Sequence, residues 1–124
     1  MSIESVAILS PGDMGHAIGQ LLREHELHVL TCLAGRSDRT RQLSEQAGIT
    51  DVSSINELVA QSDILMSVTV SEAVPGLCQE ISEATRVTGT DLLFAECNAI
   101  APELSRDMES VLKSGGARYV DASI

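Results

Sequence analysis

Gly12 and Gly15 stand three residues apart in Ser10-Pro11-Gly12-Asp13-Met14-Gly15, directly after the apolar run Ser5-Val6-Ala7-Ile8-Leu9. A strand that feeds such a loop into a helix offers an anion unbonded N–H groups and the positive end of a helix dipole. Gly12 lets the backbone approach a pyrophosphate with no Cβ in the way, and Gly15 lets the helix pack tightly on a sheet. The full G-x-G-x-x-G pattern wants a glycine where Ser10 stands, so the match is partial. A second signal lies about twenty residues on, where an acidic residue would bind the ribose hydroxyls of NAD. Here the stretch reads Leu33-Ala34-Gly35-Arg36-Ser37, with no carboxylate before Asp38. Arg36, Ser37 and one of Arg39 or Arg41 suit a 2′-phosphate instead, since a guanidinium fork matches phosphate oxygens and stacks on adenine.

Other reactive side chains are sparse. Cys32, Cys78 and Cys97 form no C-x-x-C and read as buried, reduced thiols. His16, His25 and His28 show no metal-ligand spacing, and His16, in the first turn of the helix, reads as solvated. Lys113 is the one lysine, on a surface helix. A formal charge of -10 argues against nucleic acid and anionic membranes as partners. Within that acidic chain Arg36, Arg39 and Arg41 cluster, which suits a small anionic ligand. No apolar run approaches the roughly 20 residues of a spanning helix. The first residues carry neither a basic stretch nor a signal-peptide core, so a cytoplasmic location is expected.

The elements that must position these residues alternate. Strands are expected at residues 5–9, 27–33, 49–52, 64–70, 92–95 and 117–121, with helices over 13–24, 38–47, a short stretch after Ser53-Ser54, from about Ser71, and over 102–114. Gly48 should stop the second helix, Ser54 and Glu57 fit a capping box, and Pro75-Gly76 should distort the start of the fourth helix. Six strands in strict alternation with helices predict a single α/β domain, a doubly wound parallel sheet in the order 3-2-1-4-5-6.

Three stretches carry a resemblance to the β-hydroxyacid dehydrogenase family, which includes 3-hydroxyisobutyrate and 6-phosphogluconate dehydrogenases. The loop from Ser10 to Gly15 resembles that family's G-x-G-x-M-G except at Ser10, and Gly35-Arg36-Ser37 is similar to the Asn-Arg-Thr turn of its NADP-using members. Glu96-Cys97-Asn98-Ala99-Ile100-Ala101-Pro102 and Tyr119-Val120-Asp121-Ala122-Ser123-Ile124 resemble D-x-S-T-I-x-P and F-x-D-A-P-V. The Asn98-Ala99-Ile100 variant is closer to the 6-phosphogluconate-dehydrogenase-like branch.

The resemblance implies a Rossmann fold: an NADP-binding domain over residues 1–124, ahead of a helical substrate domain. It places Pro11, Gly12, Asp13 and Met14 on the pyrophosphate and Arg36 and Ser37 on the 2′-phosphate. Val68, Thr69 and Val70 fall on the adenosine side, and Asn98 meets the nicotinamide or the substrate. Simpler roles compete: Val68 and Val70 as strand core, Asn98 as a cap for the helix near Ala101. The family's Ser-Gly-Gly stretch and its acid/base lysine have no counterpart in the sequence, so no catalytic residue is assigned and the chain alone is expected to be inactive. The implied parent is an NADP-dependent dehydrogenase moving hydride to or from a small hydroxy acid, expected to be a homo-oligomer. The alternatives are a free-standing NADP(H)-binding or sensor module and an S-adenosylmethionine methyltransferase, which would want an acid at the end of the second strand.

Overall fold

The computed structural model describes residues 4–9, 13–32, 38–52, 54–68 and 71–122, and the side chains of 13–16 and 71 lie outside that description. The strands are β1 (Ser5–Leu9), β2 (His28–Thr31), β3 (Thr50–Asp51), β4 (Ile64–Ser67), β5 (Leu93–Glu96) and β6 (Arg118–Asp121). The helices are α1 (Asp13–Glu24), α2 (Asp38–Ala47), α3 (Ile55–Gln61), α4 (Val74–Thr88) and α5 (Pro102–Ser114). All strand pairs are parallel, in the order β3-β2-β1-β4-β5-β6. The doubly wound order expected from the alternation is the order observed.

Alternate residues along each strand face opposite layers, which divides the core in two. Ala7, Leu9, Leu30, Leu65 and Phe94 pack with Leu58 and Val59 of α3, Cys78 and Ile81 of α4, and Met108 and Leu112 of α5. On the other face Ile8 and Val29 meet Ile18 and Leu22 of α1 and Ala47 of α2. Buried on both faces, the central strands read as near-continuous apolar runs. Helix α1 sits close to the sheet because Gly19 has no side chain: a Cβ there would lie 2.6 Å from Ile49 Cδ1 and 3.4 Å from Ile8 Cδ1.

The ends of the elements follow local chemistry. Ser54 Oγ accepts the Glu57 N–H at 3.1 Å, the forward half of the capping box. Helix α2 closes at Gly48, in the left-handed region at φ 73°. Pro75 does not distort a helix that starts at Ser71: a 3₁₀ turn spans Ser71–Ala73, and Pro75 lies in the first turn of α4, where no N–H is needed.

Strand lengths differ from expectation where pairing decides them. Strand β4 ends at Ser67 and not at 70, because its neighbour β1 ends opposite it, at Leu9. Strand β2 covers only residues 28–31 of the expected 27–33. Edge strand β3 keeps two paired residues. Strand β5 runs one residue further than expected, which puts Glu96 in the sheet. At the other edge Val120 is exposed, while Tyr119 is half-buried and stacks on Phe94 with ring centroids 6.0 Å apart. No helix among the described residues is long and apolar enough to cross a membrane.

The turn from α5 into β6 runs against α4. A Cβ on Gly115 would lie 2.2 Å from the Ser82 carbonyl oxygen, and Ser82 is itself held by its hydroxyl donating to Val111 O at 2.7 Å. Backbone cannot yield as a flexible side chain can. Gly115→Ala should therefore lower the unfolding free energy by about 1–3 kcal/mol, read as a reduced urea midpoint. An unchanged midpoint would contradict this packing.

Candidate functional site

In an open parallel sheet, ligands bind outside the carboxyl ends of the strands, where the winding reverses direction. Here that crevice lies between β1 and β4, whose last residues, Leu9 and Ser67, are paired. On one side, residues 10–12 join β1 to α1, so the helix begins at Asp13 beside the crevice. On the other side, Ser67 of β4 and Glu96 of β5 are paired in turn, and Asp121 of β6 pairs with Glu96.

The second side carries an unusual polar cluster. Glu96 has none of its surface exposed. Its Oε1 accepts the Asn98 side-chain N–H at 2.6 Å and the Asn98 backbone N–H at 3.2 Å. Asn98 Nδ2 also lies 3.3 Å from both the carbonyl oxygen and the hydroxyl of Ser67. Further out, Ser105 Oγ lies 2.8 Å from Tyr119 Oη and 3.4 Å from Asp121 Oδ2. Glu96 Oε2 is buried with no hydrogen-bond partner among the described residues, as are Thr31 Oγ1 and Ser44 Oγ.

Burial pushes the Glu96 carboxyl above the usual carboxylate range, and the charge of Asp121 adds to the rise. The Asn98 donors and the Ser67 hydroxyl pull the other way and lose. Burial, and then the Glu96 charge, pushes the Cys78 thiol up to about 12 and also raises Cys97. Both remain thiols, poor nucleophiles, in line with the reading of these two cysteines as buried and reduced, whereas Cys32 is only half-buried. Tyr119 is raised as well, first by burial. Among the described residues no group of three or more His, Cys, Asp or Glu could hold a metal ion.

The expected site residues divide by position. Asp13 and Met14 open α1 at the crevice. Val68 directly follows β4 and is half-buried, and Asn98 follows β5. Asn98 does not cap α5: Ala101 occupies that place without a side-chain bond. Arg39 and Arg41 are exposed in the first turn of α2. Ser10, Pro11, Gly12, Arg36, Ser37, Thr69 and Val70 lie outside the described residues. Lys113 is on α5, bridged to Glu109 at 3.1 Å. Two residues were missed in sequence: Glu96, which was read as part of a motif and not as a buried acid, and Gly19, whose signal was its spacing four residues after Gly15 on the apolar face of α1.

The family described as the NAD binding domain of 6-phosphogluconate dehydrogenase matches residues 5–124. The chain belongs to that family. Solved structures similar to this NAD-binding domain include MTH1747, a conserved protein of unknown function described as similar to 3-hydroxyacid dehydrogenases, with a TM-score of 0.82 and 20% identity over 94% of this chain and 42% of that one. An imine reductase from Myxococcus stipitatus in complex with NADP+ aligns with a TM-score of 0.69 and 21% identity, covering 93% and 39%. Its V8 variant in complex with NAD+ aligns with a TM-score of 0.73 and 19% identity, covering 95% and 39%. This NAD-binding domain thus spans about two fifths of the length of these structures.

The buried acid has a consequence for folding. An unfolded glutamate titrates near 4.3, below the raised folded value of Glu96. Its favourable contribution is therefore complete below about pH 4.3 and is lost as pH rises through the folded value, because folding must retain a proton that the unfolded chain has released. Glu96→Gln keeps the shape and removes the titration. Urea unfolding from about pH 4 to pH 8 should show the stability of Glu96→Gln rising relative to wild type as pH increases. A constant difference across that range would contradict a raised Glu96.

Proposed function

We propose that this chain is the NADP(H)-binding domain of an oxidoreductase that moves hydride between the nicotinamide and the hydroxyl-bearing carbon of a small hydroxy acid. The observation that carries the cofactor choice is Arg36-Ser37 in the stretch joining β2 to α2, where an acidic residue would select the unphosphorylated ribose. The fit of the dinucleotide is supported by α1 beginning just beyond β1 and by its close seating through Gly19. In this reading Pro11, Gly12, Asp13 and Met14 hold the pyrophosphate, and Arg36 and Ser37 hold the 2′-phosphate. Val68, Thr69 and Val70 border the adenosine side, and Asn98 meets the nicotinamide or the substrate. The bound cofactor supplies the hydride chemistry.

Residues 1–124 act as the cofactor half, with a helical substrate domain supplying the second wall of the pocket and the acid/base lysine. The span of about two fifths of the similar structures supports that division. Lys113, paired with Glu109, is no substitute, and the chain alone should not turn over a hydroxy acid. Exposed Val120 on edge strand β6 favours association of copies into a homo-oligomer.

Isothermal titration with NADPH and NADH tests the reading. NADPH should bind more tightly, and Arg36→Ala should weaken NADPH by roughly 10- to 100-fold while changing NADH little, as expected for one charge-assisted contact. Equal affinities for the two cofactors, or equal losses in the variant, would overturn the 2′-phosphate assignment.

A further inference from the structure

We propose that Glu96 is a positioning residue of the nicotinamide half of the site, where it fixes the Asn98 amide and where its own proton answers to the oxidation state of the bound dinucleotide. This rests on the dinucleotide reading above. A doubly wound sheet is built of two mononucleotide-binding halves, and β4, β5 and β6 form the second. Glu96 and Asn98 stand at the carboxyl end of its middle strand.

The geometry is that of a clamp. One carboxyl oxygen, Oε1, takes two N–H groups of the same residue, the Asn98 side chain at 2.6 Å and its backbone at 3.2 Å. The Ser67 carbonyl and hydroxyl, each 3.3 Å away, hold Nδ2 from β4. With Nδ2 drawn inward, the planar amide turns its carbonyl oxygen the opposite way. A wholly buried carboxyl with one oxygen unpartnered among the described residues is costly, and such groups call for a reason. No ion pair of Glu96 forms among the described residues.

Among the described residues the charge that acts on Glu96 is that of Asp121 from β6, and Glu96 in turn raises Cys78 of α4, Cys97 just after β5 and Tyr119 of β6. Among the described residues no cation pairs with Glu96, and burial favours its protonated form. The oxidised nicotinamide ring is cationic and the reduced ring is neutral. The oxidised cofactor therefore favours ionised Glu96, releasing its proton to solvent, and the reduced cofactor does not. By linkage, ionised Glu96 must in turn favour the oxidised cofactor.

The test measures dissociation constants for NADP+ and NADPH with wild type and Glu96→Gln, at about pH 6 and about pH 9. The expected wild-type result is a preference for NADP+ over NADPH that increases by about fivefold or more with pH, and that stays flat in Glu96→Gln. A packing role alone would shift both affinities together and leave their ratio unmoved. The same pH dependence in both proteins, or none in wild type, overturns the proposal while leaving the dinucleotide reading intact. Failure of wild type to bind either cofactor overturns both. Should Glu96→Gln not fold, carbon-13 NMR of the Glu96 carboxyl in wild type reads the same coupling: its titration midpoint must be lower with NADP+ than with NADPH, and equal midpoints overturn the proposal.

Discussion

Strands β1 and β4 lie far apart in sequence yet pair at the centre of the sheet, through Val6 with Ile64, Ala7 with Leu65, Ile8 with Met66 and Leu9 with Ser67. That register is fastened at its amino end by the Asp63 carboxylate, which accepts the backbone N–H groups of Glu4 and Ser5 at 2.9 and 3.1 Å. These two bonds hold the carboxyl below its usual range, against a small opposing effect of burial. The pairing joins two three-strand halves, and the winding reverses across it. It also sets Leu9, the last residue of β1, beside Ser67, the last residue of β4. If it slipped by one residue, every side chain of β4 would change face and the crevice would lose its floor.

From that pairing the rest follows by register. Ser67 opposite Leu9 brings Glu96 opposite Ser67, and Asp121 opposite Glu96. Tyr119 and Phe94 stack two residues earlier on the same face. An apolar layer thus passes, toward the carboxyl edge, into a polar one made of Ser67, Glu96, Asn98, Ser105 and Asp121. Low dielectric around Glu96 is a product of the core beneath it, so packing sets the electrostatics of the site.

The fold was legible because its signals are local and repeated. Apolar runs in strict alternation with longer segments marked the strands and helices, and Ser54 and Gly48 marked helix ends. Strand lengths were less legible, since pairing partners decide them: nothing within residues 64–70 says that β1 stops opposite Ser67. Glu96 was hidden for a related reason. In sequence it looks like the first residue after a strand, where an acid would be solvated, and only the extra ladder position beside Ser67 and beneath α4 makes it a buried one. Asn98 was legible as a polar residue at a strand end, but its partners, one of them 31 residues away, were not.

Amide chemical-shift mapping of the chain on addition of NADPH tests the central claim most directly, that the dinucleotide lies across the carboxyl ends of β1 and β4. The account predicts that perturbed amides cluster at Gly12, Asp13 and Met14, at Arg36 and Ser37, at Val68, and at Cys97 and Asn98. Shifts concentrated at the amino ends of the strands, around Glu4, Asp63, Leu92 and Ala117, would contradict it, as would a spectrum that NADPH leaves unchanged.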